Sequence, residues 1–425
     1  MDTRTKNVSL EDLQNIVGEE HAREAGAEDA VDGVAPQFVA EPGSIEEISE
    51  LMKLASEEGL TVSPRGSGTK MDLGNPPRHI DLIVSMVRMN EVIEHTPGDQ
   101  VVRVQAGLKL RDLQEQLATA DQLLGIDPPE REATLGGIVA ANSSGPRRYR
   151  YGTMRDLIIG ITVVLPDGTI AKAGGKVVKN VAGYDLSKLF TGSLGTLGVI
   201  ATCNFRLHPK PEAARTIAVE LSDTLLVGRA AQAITGAQLV PSAVELHWSE
   251  GAKLLTVLIE GIQPGVEAQA ETVSYLLKGF GEVRTLSDEE VEHLGPLDPP
   301  GVGEEEVAIK ISAPPAEITG VLDSTLGAAG RKGVTPRITG QAGIGVTNVA
   351  FSGGDQEALV QVVEELREIW VRRGGSVVVR RAPLPVKQRL DAWGAAGDYL
   401  GLTKRVKEKF DPRGILNPGR FLGGI

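Results

Sequence analysis

Residues 64–70 read PRGSGTK, directly after a helix-like run at 44–59 and a strand-like LTV at 60–62. Gly66 and Gly68 permit positive φ and close approach of a ligand, and Ser67 and Thr69 add hydroxyl donors. The backbone amides of such a loop can therefore converge on an anion, of which phosphate is the natural example. A single glycine-rich turn is weak evidence, because a plain tight turn explains it about as often. The Walker pattern G-x-x-x-x-G-K-[ST] is absent, and no G-x-G-x-x-G opens a helix after a first strand. P-loop hydrolysis and a Rossmann dinucleotide site are thus unsupported.

The elements around the loop follow from period and punctuation. Ser44 with Glu47 predicts a capping box, Ile45, Ile48, Leu51 and Leu54 recur at helical spacing, and Gly59 suits the C-terminal cap. Beyond the loop, DLIVS (81–85), EVIEHT (91–96) and VVRVQA (101–106) read as strands, and LRDLQEQLATA (110–120) as a helix. LIIGITVVL (157–165) and TIAKA (169–173) flank a PDG turn, and an alternating run closes the segment at 198–211. Residues 36–211 read as one α+β domain rich in glycine loops. Residues 212–393 change texture: strand, helix, strand, strand, helix, strand, and then the same order again. That is the ferredoxin-like order repeated, joined by the acidic, proline-rich SDEEVEHLGPLDPPGVGEEE at 287–306. Residues 394–425 form a helix and an irregular tail, and the polar segment 1–35 could be a docking helix or a frayed tail.

Composition excludes several classes. The 425 residues are 41% hydrophobic, enough for two or three cores, and the net charge of −13 argues against nucleic acid as a partner. Arg147, Arg148 and Arg150 in GPRRYRYG are the local exception; they could face an anionic ligand or simply water. One cysteine, Cys203, excludes an internal disulfide, and six scattered histidines show no metal-ligand spacing. With neither a long apolar run nor a secretory h-region, the chain is expected in the cytoplasm.

Two further glycine-rich stretches accompany the first. In DPPEREATLGGIVAANSSGPRRYRYGTMRD (127–156), a helix starting near Thr134, with Gly136 and Gly137 in its first turn, would aim free N–H groups at a pyrophosphate. Small residues at Ala140, Ala141, Ser143, Ser144 and Gly145 leave room for a flat ring system. The third stretch is KNVAGYDLSKLFTGSLGTLGVI (179–200). Three glycine loops around one sheet suggest a long cofactor of several parts.

With the terminal FDPRGILNPGRF (410–421), these stretches resemble the vanillyl-alcohol oxidase / p-cresol methylhydroxylase flavoprotein superfamily. Within it, the chain most resembles the smaller FAD-binding subunit of the three-part bacterial glycolate oxidase. The resemblance implies a two-subdomain FAD-binding domain of the PCMH type, split by the ferredoxin-like, duplicated cap, with the tail returning to the flavin. It places the pyrophosphate loop on Pro64, Arg65, Gly66, Ser67, Gly68 and Thr69, and Pro128 near the isoalloxazine. The second loop falls on Thr134, Leu135, Gly136, Gly137, Ala140, Asn142, Ser143 and Gly145, followed by Tyr151 and Gly152. Gly195, Gly198 and Ile200 match the segment near the adenine, and Asn417 the tail residue brought towards the flavin. Where some relatives carry a flavin-linking histidine in the first loop, this chain has Thr69, so noncovalent FAD is expected.

Relatives that oxidise 2-hydroxy acids carry a C-terminal histidine cluster that binds a metal, whereas here no histidine follows His293. No metal is therefore expected. The remaining catalytic candidates are Arg337, Arg380, Arg381, Lys387 and Asn417; Arg and Lys could clamp a carboxylate or stabilise reduced flavin, with surface salt bridging the plainer reading. The resemblance implies oxidation of glycolate or D-lactate together with a larger catalytic flavoprotein subunit and an iron-sulfur subunit. One cysteine cannot ligate a cluster. Peripheral contact with the inner membrane could come through those partners. Two alternatives stay open: a self-sufficient FAD-dependent oxidoreductase acting on another alcohol or hydroxy acid, and a scaffolding subunit that has lost the cofactor.

Overall fold

The structure is a computed structural model that describes residues 8–175, 185–249, 253–294, 303 and 305–425. The chain forms two compact units, each discontinuous in sequence: Met1–Ser143, Thr153–Pro209 and Ala395–Ile425 make the first, and Ser144–Gly152 and Lys210–Gly394 the second.

In the first unit, strands β1 (Ala22–Glu24), β2 (Phe38–Ala40), β3 (Val62–Arg65) and β4 (Leu82–Ser85) form a sheet in the order β1-β2-β4-β3. The β2–β4 and β3–β4 pairings are parallel, as a strand-helix-strand crossover requires. The crossover helix is Ile45–Glu58. Ile48, Leu51, Met52 and Ala55 on one face of it are fully buried, and Gly59 ends it at φ 69°. Its cap differs in one detail from expectation. Ser44 Oγ accepts from the Glu47 amide at 3.1 Å, but the Glu47 carboxylate accepts from the Gly43 amide at 2.8 Å, one residue before the expected partner.

Strands β5 (Val92–Thr96) and β6 (Val101–Gln105), a short β7 (Gln122–Leu123), then β8 (Ile158–Val164), β9 (Ile170–Gly174) and β10 (Val199–Arg206) follow, with β11 (His208–Pro209) pairing β7. The antiparallel order is β5-β6-β10-β8-β9, with Val102, Val104, Ile161, Val163, Cys203 and Phe205 inside. Burial pushes the Cys203 thiol up, so it behaves as a packed apolar side chain. Ser9 and Asp12 cap a helix at Leu10–Val17 whose Leu13 and Val17 enter the same core. Residues 8–35 are thus neither a docking helix nor a frayed tail; residues 1–7 lie outside the described part. The C-terminal tail is sewn onto β3: the Val62 amide donates to Ile415 O at 2.7 Å, and the Asn417 amide to Val62 O at 3.0 Å.

The second unit is one antiparallel sheet of eight strands: β12 (Ala213–Glu220), β13 (Ala243–Trp248), β14 (Lys253–Gly261), β15 (Val283–Leu286), β16 (Val307–Ser312), β17 (Thr335–Gln341), β18 (Val346–Ser352) and β19 (Ser376–Arg381). Their order is β15-β12-β14-β13-β17-β18-β16-β19. In each half the strands stand in the order fourth, first, third, second, and the two second strands, β13 and β17, join the halves. The expected duplication is present. Alternate residues such as Ile217, Val219, Leu246, Val257, Ile309, Val349 and Val379 point into one core with helices Thr224–Thr235, Gln263–Leu277, Ile318–Lys332 and Gln356–Arg372. Of the acidic connection, Asp288–Leu294 is a short helix and residues 295–302 and 304 lie outside the described part.

Candidate FAD-binding cleft

Strand β3 ends at Arg65, and the glycine loop begins there because the chain must leave the sheet next to the helix Leu135–Ala141. A Cβ on Gly66 would collide with the Thr134 hydroxyl, so glycine is needed for the close approach. Gly68 has φ 80°. Between these elements lies an open cleft, its walls formed by the glycine loop, the start of the helix and the segment from Leu194 to Ile200.

Its walls bring together most of the residues expected from the sequence. Pro64 to Thr69, Thr134, Gly136, Gly137, Ala140, Gly195, Gly198, Ile200 and Asn417 all line it. Ala141, expected among the small residues that make room for a ring, lines it too, and Lys70, Met71, Met86, Ala106, Leu194, Val199 and Arg420 line it without having been foreseen. Pro128, Leu135, Asn142 and Ser143 belong to the same unit without lining the cleft, and Gly145, Tyr151 and Gly152 fall in the second unit. Part of the third stretch, 176–184, lies outside the described residues.

The source of anion-binding donors differs from expectation. The first-turn amides of the helix are already used: Leu135 donates to Leu108 O at 2.8 Å, Gly136 to Ala106 O at 2.7 Å, and Gly137 to Thr134 Oγ1 at 3.4 Å. Gly136 lies against Ala106, so the small residue serves close packing and the helix end is not open. By contrast, the amides of Gly66, Ser67, Gly68 and Thr69 have no hydrogen-bond partner among the described residues. The loop, rather than the helix, presents donors to an anion.

Charge around the loop is organised by residues far away in sequence. Arg65 reaches Asp29 Oδ1 at 2.8 Å, and the same carboxylate, 2% exposed, accepts from Arg23 at 2.7 Å and from the Gly26 amide at 2.9 Å. Burial alone would raise Asp29, but hydrogen bonds from Arg23, Gly26 and Arg65 outweigh it and hold the carboxyl well below its usual range. Arg65 is therefore an anchor of the loop. The Ser67 hydroxyl donates to Glu132 O, and Lys70 pairs with Glu130. Arg420, 3% exposed, donates to Met71 O at 2.5 Å and Leu73 O at 2.9 Å, tying the tail to the loop.

The other candidate cations belong to the second unit. Arg337 faces Glu306 at 3.7 Å and is half exposed, which is the plain surface pairing. Arg380 and Arg381 end β19, Lys387 is buried on the short helix Leu384–Lys387, and none of the three is free of partners. Arg147 pairs with Glu260 at 2.6 Å, and Arg150 donates to Ser242 Oγ at 3.2 Å and Glu260 O at 2.6 Å. These two arginines serve the unit's own structure.

The cleft fits FAD on its own geometry. A glycine loop supplies donors for phosphate oxygens, and Gly136, Gly137, Ala140, Ala141 and Ala106 form a wall of small residues that a flat ring can approach.

Comparison with known proteins agrees. Residues 36–174 match the FAD binding domain family, and residues 392–421 match the C-terminal domain of FAD linked oxidases. The chain is 28% identical to glycolate oxidase subunit GlcD of Bacillus subtilis, covering 91% of this chain and 89% of that one. It is 26% identical to a D-lactate dehydrogenase of Archaeoglobus fulgidus, covering 90% and 91%. Among solved structures, p-cresol methylhydroxylase with substrate bound superposes with a TM-score of 0.78 at 16% identity, over 97% of this chain and 95% of that one. The fold is the α+β fold of that flavoprotein superfamily. No helix among the described residues is long and apolar enough to cross a membrane. With an FAD binding domain ahead of an FAD linked oxidase C-terminal domain, the chain is a flavin-dependent oxidoreductase.

Proposed function

We propose that the chain takes part in the FAD-linked oxidation of a small 2-hydroxy acid, glycolate or D-lactate, to the 2-oxo acid, as the FAD-binding subunit of a glycolate oxidase-type complex. The observation that carries this reading is similarity along nearly the whole chain to a glycolate oxidase subunit and to a D-lactate dehydrogenase, over a cleft with the right donors. Bound FAD supplies a two-electron acceptor for the hydride leaving the alcohol carbon. The chain's own residues would hold and orient it: the amides of Gly66 to Thr69 would meet the pyrophosphate, Arg65 and Asp29 keep the loop in place, and small residues would face the ring. The proposed partners are a larger catalytic flavoprotein subunit and an iron-sulfur subunit that receives the electrons. Any membrane contact is proposed to come through them.

A second reading is favoured by one observation: relatives named as dehydrogenases align over 90% of the chain. On that reading the chain oxidises its hydroxy acid alone, with a base other than a C-terminal histidine. Purified chain, mixed anaerobically with glycolate and with D-lactate while the visible flavin band is followed, separates the two. A band that stays oxidised until partners are added supports the complex subunit; bleaching at a catalytic rate by the chain alone supports the second reading.

A further inference from the structure

Three cations line the cleft among the described residues: Arg65, Lys70 and Arg420. Two of them are committed. Arg65 pairs with Asp29, a buried carboxylate that Arg23 shares, and Arg420 donates to Met71 O and Leu73 O. Arg65 cannot turn to a ligand without weakening the hold on a buried charge, and Arg420 is tied at two carbonyls.

Lys70 is bound differently. Its partner Glu130 lies on the irregular segment between β7 and the helix Leu135–Ala141, and the two side chains are 18% and 16% exposed, so solvent reaches both. Glu130 also has a second donor, because the Ser143 hydroxyl reaches its other carboxylate oxygen at 3.3 Å. A Glu130 that gives up Lys70 therefore keeps a partner. The segment is moored independently: Lys109 and Arg111 hold the Glu132 carboxylate at 2.6 and 2.7 Å, and the Ser67 hydroxyl donates to Glu132 O. Breaking the one pair frees an ammonium and leaves the segment in place.

Lys70 directly follows Thr69, the last of the loop residues whose amides have no partner among the described residues. An anion on those amides would stand beside a lysine that lines the same cleft. Amides are neutral donors, and a cationic donor makes hydrogen bonds roughly twice as strong.

We propose that Lys70 is the counter-ion of the FAD pyrophosphate and that Glu130 is its internal competitor: the ammonium leaves Glu130 for a phosphate oxygen when the cofactor binds. This rests on the flavin reading above. The pyrophosphate prevails because it carries more charge and because the amides of Gly66 to Thr69 hold it at the same time, whereas Glu130 brings one charge and retains Ser143. The exchange sets the strength of one partly exposed ion pair against cofactor affinity, so the chain binds FAD less tightly than its donors allow.

The test is calorimetric titration of the full-length apoprotein with FAD at low and high salt. Pyrophosphate is the charged part of FAD, so the salt dependence of affinity reports on the charges around it. Lys70→Met keeps the stem and removes the charge; FAD should bind about tenfold weaker, with an affinity that varies less with salt. Glu130→Gln keeps the shape and an acceptor for Ser143 while removing the competing charge; FAD should bind about fivefold tighter. In the Lys70→Met background, Glu130→Gln should add almost nothing. Opposite signs for the two single variants mark competition, since a pair that only braces the loop loses affinity whichever side is removed. A Glu130→Gln variant that binds FAD no tighter than wild type overturns the exchange, and Lys70→Met with wild-type affinity at both salt concentrations overturns the counter-ion. An undiminished gain from Glu130→Gln without Lys70 means that Glu130 merely repels the phosphate, which also overturns the exchange. All three outcomes leave the flavin reading standing. Wild-type protein that takes up no FAD overturns that reading, and this proposal with it.

Discussion

The two units solve opposite problems. The eight-stranded sheet of the second unit is one strand order used twice over a shared apolar core, so its parts are regular and repeated. The cleft of the first unit leaves the amides of Gly66 to Thr69 without partners among the described residues, and buried ion pairs hold the segments around it. Regularity serves stability, whereas the cleft gives up some stability to hold unmet donors in place.

Substitutions should separate the two regions. The largest effect belongs to Gly66→Val, whose side chain would enter the Thr134 hydroxyl; FAD affinity should fall at least a hundredfold, read by flavin retained on gel filtration. A variant that keeps its flavin would break the assignment of the loop. Asp29→Ala strands Arg23 and Arg65 and should cost about 3 kcal/mol in chemical denaturation.

The units should also differ in acid. Asp29 has a folded pKa below its unfolded value, so its stabilisation is present above about pH 4 and is lost as pH falls below that. His247, buried in β13, is lowered by burial to about 4, so the unfolded chain binds the proton first and stability falls from about pH 6.5 down to about 4. That window is worth up to about 3 kcal/mol, and His247→Gln should flatten it while leaving the lower one. Denaturation at pH 7, 5 and 3.5 reads both; identical pH profiles for His247→Gln and wild type would remove His247 from the account. Smaller still, Ser44→Ala should cost about 1 kcal/mol through the lost cap. Arg337→Ala, on an exposed pair at 3.7 Å, should shift stability by less than about 0.5 kcal/mol.

What the sequence disclosed follows the same division. The helix from Ile45, ended by Gly59, and the doubled strand-helix order are written in local spacing, and they form as read. The glycine loop was visible because Gly66 and Gly68 are locally unusual. Its supports were not. Asp29 lies 36 residues from Arg65, Lys407 lies 211 from Thr196, and Asn417 lies 223 from Leu194, and no period or turn chemistry relates such positions. The expectation of open amides at Thr134 failed for a related reason: the acceptors that occupy them, Ala106 O and Leu108 O, come from the chain just after β6. The tail motif FDPRGILNPGRF pointed to Asn417, but only the fold reveals that its amide is tied to Leu194.

The most direct test of the central claim is flavin content. Full-length protein, purified with added FAD and precipitated with acid, should release close to one FAD per chain into the supernatant, and Gly66→Val prepared alongside should release almost none. Colourless wild-type protein, or flavin retained equally by Gly66→Val, would contradict the account.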